Sequence, residues 1–170
     1  MSQSPSTSAA NSAFDIADLI ARASRLGLTM ATAESCTGGL VAAALTDIPG
    51  SSAVLDRGFV TYSNRAKQEM LGVSHAALDA YGAVSEEVAA EMAQGALHQA
   101  QVDLAVAITG IAGPGGSEHK PEGRVCFGLA RKGQKVAVET IEFGPLGRDR
   151  VRAKSCAHAL FLLQEACFAS

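Results

Sequence analysis

The hydrophobic positions of this chain change their period several times, and these changes predict alternating helices and strands. Over residues 14–26 the apolar side chains recur every three or four positions, as in a helix with one buried face, and Gly27 then ends the helix. The segment 28–33 is short and uncharged, and its composition predicts a strand. Residues 103–108 are almost continuously apolar, which is typical of a strand that helices cover on both faces.

The same patterns predict the remaining elements. Helices are expected from Thr37, after Ser63 and Asn64, and over residues 85–101 and 148–168; strands are expected over 53–62, 125–130 and 136–143, the last two as a hairpin, and a glycine-rich loop over 109–123. This order predicts an α/β fold in a single domain, with three α/β/α layers around a mixed, mainly parallel sheet and one antiparallel hairpin. The domain is expected over residues 14–170, behind a disordered N-terminal tail of residues 1–13 that lacks the charge and apolar core of a signal peptide.

Composition excludes several classes of function. The net charge is -3 and no basic stripe is present, so we expect no nucleic-acid partner. No apolar run approaches membrane-spanning length, so we expect no membrane partner. The four cysteines form no C-x-x-C pair and the four histidines are scattered, which predicts no metal site, no cofactor, reduced thiols and a cytoplasmic location.

The first candidate for chemistry is Ser35, at the predicted turn from a strand into a helix. Its hydroxyl would be exposed beside the backbone N–H groups of Thr37, Gly38 and Gly39, which suit an oxyanion or a phosphate. A serine N-cap followed by a tight glycine turn explains the same residues without any chemistry. Ligands of such sheets bind beyond the carboxyl ends of the strands, where the segments after three strands, including Thr109, are expected to converge.

The second candidate is Lys67, in the first turns of the helix that follows Tyr62. A lysine can deprotonate a serine if its pKa falls from about 10.4 towards 7–8, which costs on the order of 4 kcal/mol. Tyr62 could orient this lysine or protonate a leaving group. A solvated helical lysine and a packed tyrosine are the structural alternatives.

Two further segments could bind phosphate. The glycine-rich run from Thr109 to Gly116 can offer backbone N–H donors, although a surface loop explains its composition equally well. Arginines at 148, 150 and 152 open the last helix and could clamp a phosphate, or could form a solvated helix face.

Together these segments resemble a known family, the C-terminal domain of the competence/damage-inducible CinA proteins, from about residue 14 to residue 167. The motifs that carry the resemblance are E-S-C-T-G-G at 34–39, Y-S-N-x-x-K at 62–67, T-G-I-A-G-P-x-G at 109–116 and K-P-x-G at 120–123. Stand-alone members of this family are nicotinamide-nucleotide amidohydrolases. The resemblance therefore implies hydrolysis of the carboxamide of nicotinamide mononucleotide by a serine and a lysine, without metal, in a homodimer.

Carried onto this sequence, the resemblance implies the nucleophile Ser35, the base Lys67 and a supporting catalytic role for Tyr62. The residues implied to contact the substrate are Thr37, Gly38, Gly39, Asn64, Thr109, Gly110, Gly113 and Arg148. Arg148 takes the first arginine position of a family signature but lacks the preceding aspartate, so Arg150 stays an alternative phosphate ligand. A non-catalytic nucleotide-binding regulatory module, or an amidase of a related pyridine nucleotide, are the alternative functions, and ammonia release would distinguish them.

Overall fold

The computed structural model describes residues 15–169, which form one five-stranded sheet with helices on both faces. The elements in chain order are α1 (Ile16–Leu26), β1 (Met30–Glu34), α2 (Leu40–Thr46), a 3-10 turn (Ser51–Ala53), β2 (Leu55–Val60), α3 (Asn64–Leu71), α4 (His75–Tyr81), α5 (Glu86–Ala100), β3 (Leu104–Gly110), β4 (Arg124–Arg131), β5 (Ala137–Glu142) and α6 (Arg148–Phe168). The predicted tail of residues 1–13 lies outside the described residues. None of the helices described is long and apolar enough to cross a membrane.

The sheet has the strand order β2-β1-β3-β4-β5. β1 pairs in parallel with both β2 and β3, whereas β4 is antiparallel to its neighbours β3 and β5. β4 therefore runs against the other four strands. This arrangement confirms the predicted mixed, mainly parallel sheet and its antiparallel hairpin.

The two faces of the sheet carry different side chains. Along β3, Leu104, Val106 and Ile108 pack with α1, α2 and α6, while Ala105 and Ala107 pack with α3, α4 and α5. This alternation is the period of two that a strand imposes, and it confirms the three predicted layers. Small residues on the second face admit α5 closely: a Cβ added at Gly128 would lie 2.5 Å from the carbonyl oxygen of Ala89.

The structure corrects two predicted boundaries. α2 begins at Leu40 rather than Thr37, because Gly38 and Gly39 have φ values of 58° and 106° that a right-handed helix does not allow. Thr109 and Gly110 end β3 instead of opening the loop.

The helix α4 was missing from the prediction. It has seven residues and buries only Ala77 and Leu78, which is too little for a helical period to be visible.

The register of the parallel strands sets the position of the candidate site. Glu34 at the end of β1 is paired with both Val60 of β2 and Ile108 of β3. β1 and β2 therefore reach their carboxyl ends at the same level, and β3 continues for two residues beyond it. The segments that begin at Ser35 and after Val60 leave the sheet at one edge, beside the end of β3, as the sequence predicts.

Candidate active site

Lys67 and Ser35 meet at this edge of the sheet. The Nζ atom of Lys67 donates hydrogen bonds to Ser35 Oγ at 3.0 Å and to the carbonyl oxygen of Thr61 at 2.9 Å. Ser63 caps α3 by accepting from the N–H of Ala66 at 3.0 Å, so Lys67 lies one turn inside the helix. With only 1% of its surface exposed, Lys67 points towards the sheet instead of the solvent.

Burial changes the acidity of the groups at this point. Desolvation lowers the pKa of Lys67 from 10.5 to about 8, against a smaller opposing influence of Cys36. Desolvation also raises the pKa of the Cys36 thiol to about 11, so Cys36 is a neutral thiol near neutral pH. An appreciable fraction of Lys67 is then a neutral amine, which can accept the proton of a serine.

The carboxylate of Glu34 anchors the turn that carries Ser35. Its Oε1 accepts from the N–H groups of Gly39 (3.2 Å) and Val41 (2.9 Å), and its Oε2 accepts from Ala42 N–H (3.1 Å) and Thr32 Oγ1 (3.2 Å). Glu34 is fully buried. The N-terminal donors of α2 are therefore bound by this internal carboxylate and do not face a ligand.

Two of the three backbone donors expected to contact the substrate, those of Gly38 and Gly39, are used within the protein. The N–H of Gly39 is held by Glu34, and the N–H of Gly38 donates to Ser35 O at 3.0 Å. Thr37 is fully buried, and its hydroxyl has no hydrogen-bond partner among the described residues. None of the three lines the cavity. Two donors are left at this turn, the N–H groups of Cys36 and Thr37, which donate to none of the described residues. Of these two residues, Cys36 lines the cavity.

Arg152 holds the same turn from the other side, a role that the sequence did not reveal. Its Nε donates to the carbonyl of Cys36 at 3.0 Å and its Nη2 to the carbonyl of Thr37 at 3.2 Å. Glu34 binds the amides after Ser35 and Arg152 binds the carbonyls. The only signal in the sequence was the arginine spacing at the start of α6, which suggested phosphate binding instead.

A cavity of about 350 Å³ opens above Ser35 and Lys67. Its other lining residues are Cys36 and residues of four further segments: Tyr62 and Asn64 after β2, Ala83 and Val84 before α5, Thr109–Ser117 from the end of β3 onward, and Arg148 of α6. The structure thus brings together eight of the eleven predicted site residues and leaves out Thr37, Gly38 and Gly39. Arg150 does not line this cavity.

The linker between α4 and α5 forms a wall that the sequence did not predict. Thr109 Oγ1 donates to the carbonyl of Ala83 at 2.8 Å, and Lys120 Nζ donates to the carbonyls of Tyr81 (2.7 Å) and Val84. The hydroxyl proton of Thr109 is thus used within the protein, although its oxygen can still accept from a ligand. No sequence motif identifies Ala83 and Val84 as site residues, because they line the cavity without a reactive side-chain group.

Arg148 joins two sides of the cavity mouth. Its Nη1 donates to the carbonyl of Gly113 at 2.7 Å and its Nη2 to the hydroxyl of Tyr62 at 2.7 Å. The Tyr62 hydroxyl accepts from Arg148 and does not bond Lys67, whose amine donates to the Thr61 carbonyl instead. Tyr62 is 61% exposed and lies at the entrance.

Among residues 15–169 no three histidine, cysteine or acidic side chains are grouped so that they could hold a metal ion. The polar groups that converge on the cavity include the hydroxyl of Ser35, the amine of Lys67, the guanidinium of Arg148 and backbone donors. Such a set can attack a carbonyl carbon, exchange protons and bind an anion.

Comparison with known proteins shows the family of this chain. The CinA C-terminal domain matches residues 15–167. The nicotinamide-nucleotide amidohydrolase PncC of Enterobacter agglomerans is 55% identical over 141 residues, which cover 82% of this chain and 84% of that protein. The protein of the same name from Escherichia coli K12 is 54% identical over 136 residues, covering 79% and 81%.

Solved structures of the same family have the same fold as this chain. The competence/damage inducible protein CihA from Agrobacterium tumefaciens has a TM-score of 0.82 and 46% identity, covering 96% of this chain and 97% of that one. A CinA superfamily protein from Enterobacter cloacae has a TM-score of 0.85 and 32% identity, covering 98% of both chains. This chain therefore belongs to the CinA C-terminal domain family.

Proposed function

We propose that this protein is an amidohydrolase that converts nicotinamide mononucleotide and water into nicotinic acid mononucleotide and ammonia. The observation that carries the proposal is the 3.0 Å contact between the buried amine of Lys67 and the hydroxyl of Ser35. A protein that only binds a nucleotide needs no such pair. The substrate follows from the relatives named nicotinamide-nucleotide amidohydrolase, which are similar over most of the chain.

The first half of the reaction forms an acyl-enzyme. Neutral Lys67 takes the Oγ proton while Oγ of Ser35 attacks the carboxamide carbon, and the carbonyl oxygen becomes an oxyanion. The N–H of Cys36 is available to bind that oxyanion. The Lys67 ammonium then returns its proton to the amide nitrogen, the C–N bond breaks, and ammonia leaves the ester on Ser35.

The second half hydrolyses this ester. Lys67 is neutral again and takes a proton from an attacking water molecule, whose oxygen bonds to the acyl carbon. The bond from that carbon to Ser35 Oγ then breaks, and Oγ receives the proton from Lys67. The released acid ionises to a carboxylate, and both residues return to their starting states.

The mouth of the cavity suits the phosphate of the substrate. Within the part of the chain that the structure describes, the N–H groups of Gly113, Gly115 and Gly116 have no acceptor. Arg148 would exchange its contacts with Gly113 and Tyr62 for phosphate oxygens, which it can bind through two nitrogens. This contact explains why a nucleotide would be preferred to free nicotinamide.

The test is ammonia release from nicotinamide mononucleotide by the Ser35→Ala variant. We expect a loss of at least about 10³-fold in turnover by a folded protein, as for other serine nucleophiles. Ser24→Ala is the matched control, because Ser24 is exposed on α1. Wild-type activity should survive exhaustive chelation. Near-normal turnover by folded Ser35→Ala would refute the serine mechanism, and nucleotide binding without ammonia release by the wild type would favour a regulatory module.

A further inference from the structure

The charged side chains that line the cavity are both basic. Among the described residues, Lys67 lies at its base and Arg148 at its mouth, and no aspartate or glutamate lines it. The two hydrogen-bond partners of the Lys67 amine, Ser35 Oγ and the Thr61 carbonyl, are neutral. A protonated Lys67 therefore has no counter-ion at the cavity wall.

The titratable groups of the surrounding elements do not supply one either. Glu34 at the end of β1 is turned into the N–H groups of α2, and Glu91 of α5 accepts hydrogen bonds from Ser74. Arg152 of α6 binds backbone carbonyls. Cys36 could act on Lys67 as a thiolate, but burial raises the pKa of its thiol to about 11, so that it carries no charge near neutral pH. The loop over 110–117 and the linker at 83–84 contribute no titratable side chain to the wall. The carboxylate of Glu122 lies against Gly113 at the mouth and is not among the groups that influence Lys67.

Under the proposed function, on which this inference rests, the substrate brings a positive charge into the cavity. Its pyridinium ring carries the carboxamide, whose carbon must come within about 3 Å of Ser35 Oγ. Because Lys67 Nζ is 3.0 Å from the same oxygen, the cationic ring lies within roughly 7 Å of Nζ. At that distance two like charges in a partly desolvated site change an affinity by about tenfold or more.

We propose that Lys67 selects ligands by the charge of their ring. Its neutral form admits the cationic pyridinium amide, and its protonated form excludes that ligand. The form that binds this substrate is then also the form that can act as the base. A nucleotide with the same phosphate and carboxamide but an uncharged ring would bind both forms equally well.

Binding to the Ser35→Ala variant tests this selection without turnover. The probes are oxidised and reduced nicotinamide mononucleotide, which differ in the charge of the ring, and the measurement is Kd by calorimetry from about pH 7 to about pH 9.5, where the phosphate stays ionised. We expect the affinity for the oxidised nucleotide to rise about five- to tenfold with pH, and that for the reduced one to change less than about twofold. A Ser35→Ala/Lys67→Met double variant should lose the pH dependence for both.

The outcomes separate this inference from the proposed function. An equal pH dependence for both nucleotides, or no pH dependence for the oxidised one, would overturn the selection by ring charge while leaving the proposed function intact. A pH dependence that survives in the double variant would assign it to another group and also overturn the inference. Absence of binding by either nucleotide would refute the proposed function itself, and this inference with it.

Discussion

Replacing Lys67 by methionine is expected to make this protein more stable while abolishing its activity. The folded state holds the lysine side chain with 1% of its surface exposed and without a carboxylate partner. Burial lowers its pKa from 10.5 to about 8, which means that folding must remove a proton from the side chain at neutral pH or hold the charge at a cost. Methionine has a similar length and carries no charge, so it can fill the same space without this cost.

The size and sign of the effect follow from the two pKa values. A fall from 10.5 to about 8 corresponds to about 3 kcal/mol. The carbonyl of Thr61 would lose its hydrogen-bond donor, which costs about 1 kcal/mol, so the net gain is about 2 kcal/mol at pH 7. Between pH 8 and pH 10.5 the unfolded state binds more protons than the folded state, so wild-type stability rises with pH. The advantage of Lys67→Met is therefore largest below about pH 8 and disappears as the pH approaches 10.5.

Thermal and denaturant unfolding at several pH values measure this difference. For a chain of this size, about 2 kcal/mol raises Tm by about 4–8 °C at pH 7. Lys154→Met is the matched control, since Lys154 is exposed on α6, and its Tm should change little at any pH. A Lys67→Met variant that is less stable than the wild type at pH 7, or whose advantage does not depend on pH, would refute the view that Lys67 is buried at a cost.

Four other predictions can be measured separately. The wild-type rate should rise with pH through about 8, and Lys67→Arg should keep less than about a tenth of it, because a guanidinium cannot act as a base. Glu34→Gln should lower the free energy of unfolding by about 2 kcal/mol, because a buried N–H of α2 loses its acceptor, whereas the exposed Glu87→Gln should cost less than about 0.5 kcal/mol. Arg148→Ala should raise KM at least about tenfold, if the arginine binds phosphate, and Arg150→Ala less than about twofold. Light scattering should give the mass of a homodimer at micromolar concentration, and a monomer mass across that range would contradict the expectation.

The positions of Ser35 and Lys67 could be predicted because local signals and one topological rule decide them. Ser63 and Gly72 mark the two ends of α3 in the sequence, and the structure uses both as caps. Parallel strands with aligned ends place the segments that come after them at one edge. Two short motifs that lie 32 residues apart can therefore be assigned to one site without knowing any side-chain contact.

The roles of Glu34 and Arg152 could not be predicted, because both act through tertiary contacts. In the sequence Glu34 is a polar residue at the end of an apolar strand, and nothing shows that its carboxylate will cap the following helix. Arg152 lies 115 positions from Thr37, whose carbonyl it binds. Side-chain to backbone contacts at such separations depend on how α6 packs against α2, and hydrophobic periodicity does not encode that orientation.

The use of the Gly39 N–H within the protein has the same origin. Free N–H groups at a helix start are a reasonable anion site as long as no acceptor within the protein takes them. Here Glu34 takes those of Gly39, Val41 and Ala42, so the positive end of α2 serves to fix the turn. Under the proposed function, the donors that remain for the oxyanion are the N–H groups of Cys36 and Thr37, together with charge that appears during the reaction.

Lys67 supplies that charge under the proposed function. When Ser35 attacks, the proton transfer creates the ammonium of Lys67 and the oxyanion together, at a place where no carboxylate lines the described cavity. The ammonium is poorly stabilised before the reaction and gains a partner only when the tetrahedral species forms. Stabilisation that exists in the transition state but not in the ground state lowers the barrier. A carboxylate beside Lys67 would raise its pKa, stabilise the ammonium in the resting enzyme and remove this advantage, so the unpaired burial of Lys67 is the feature on which the chemistry depends.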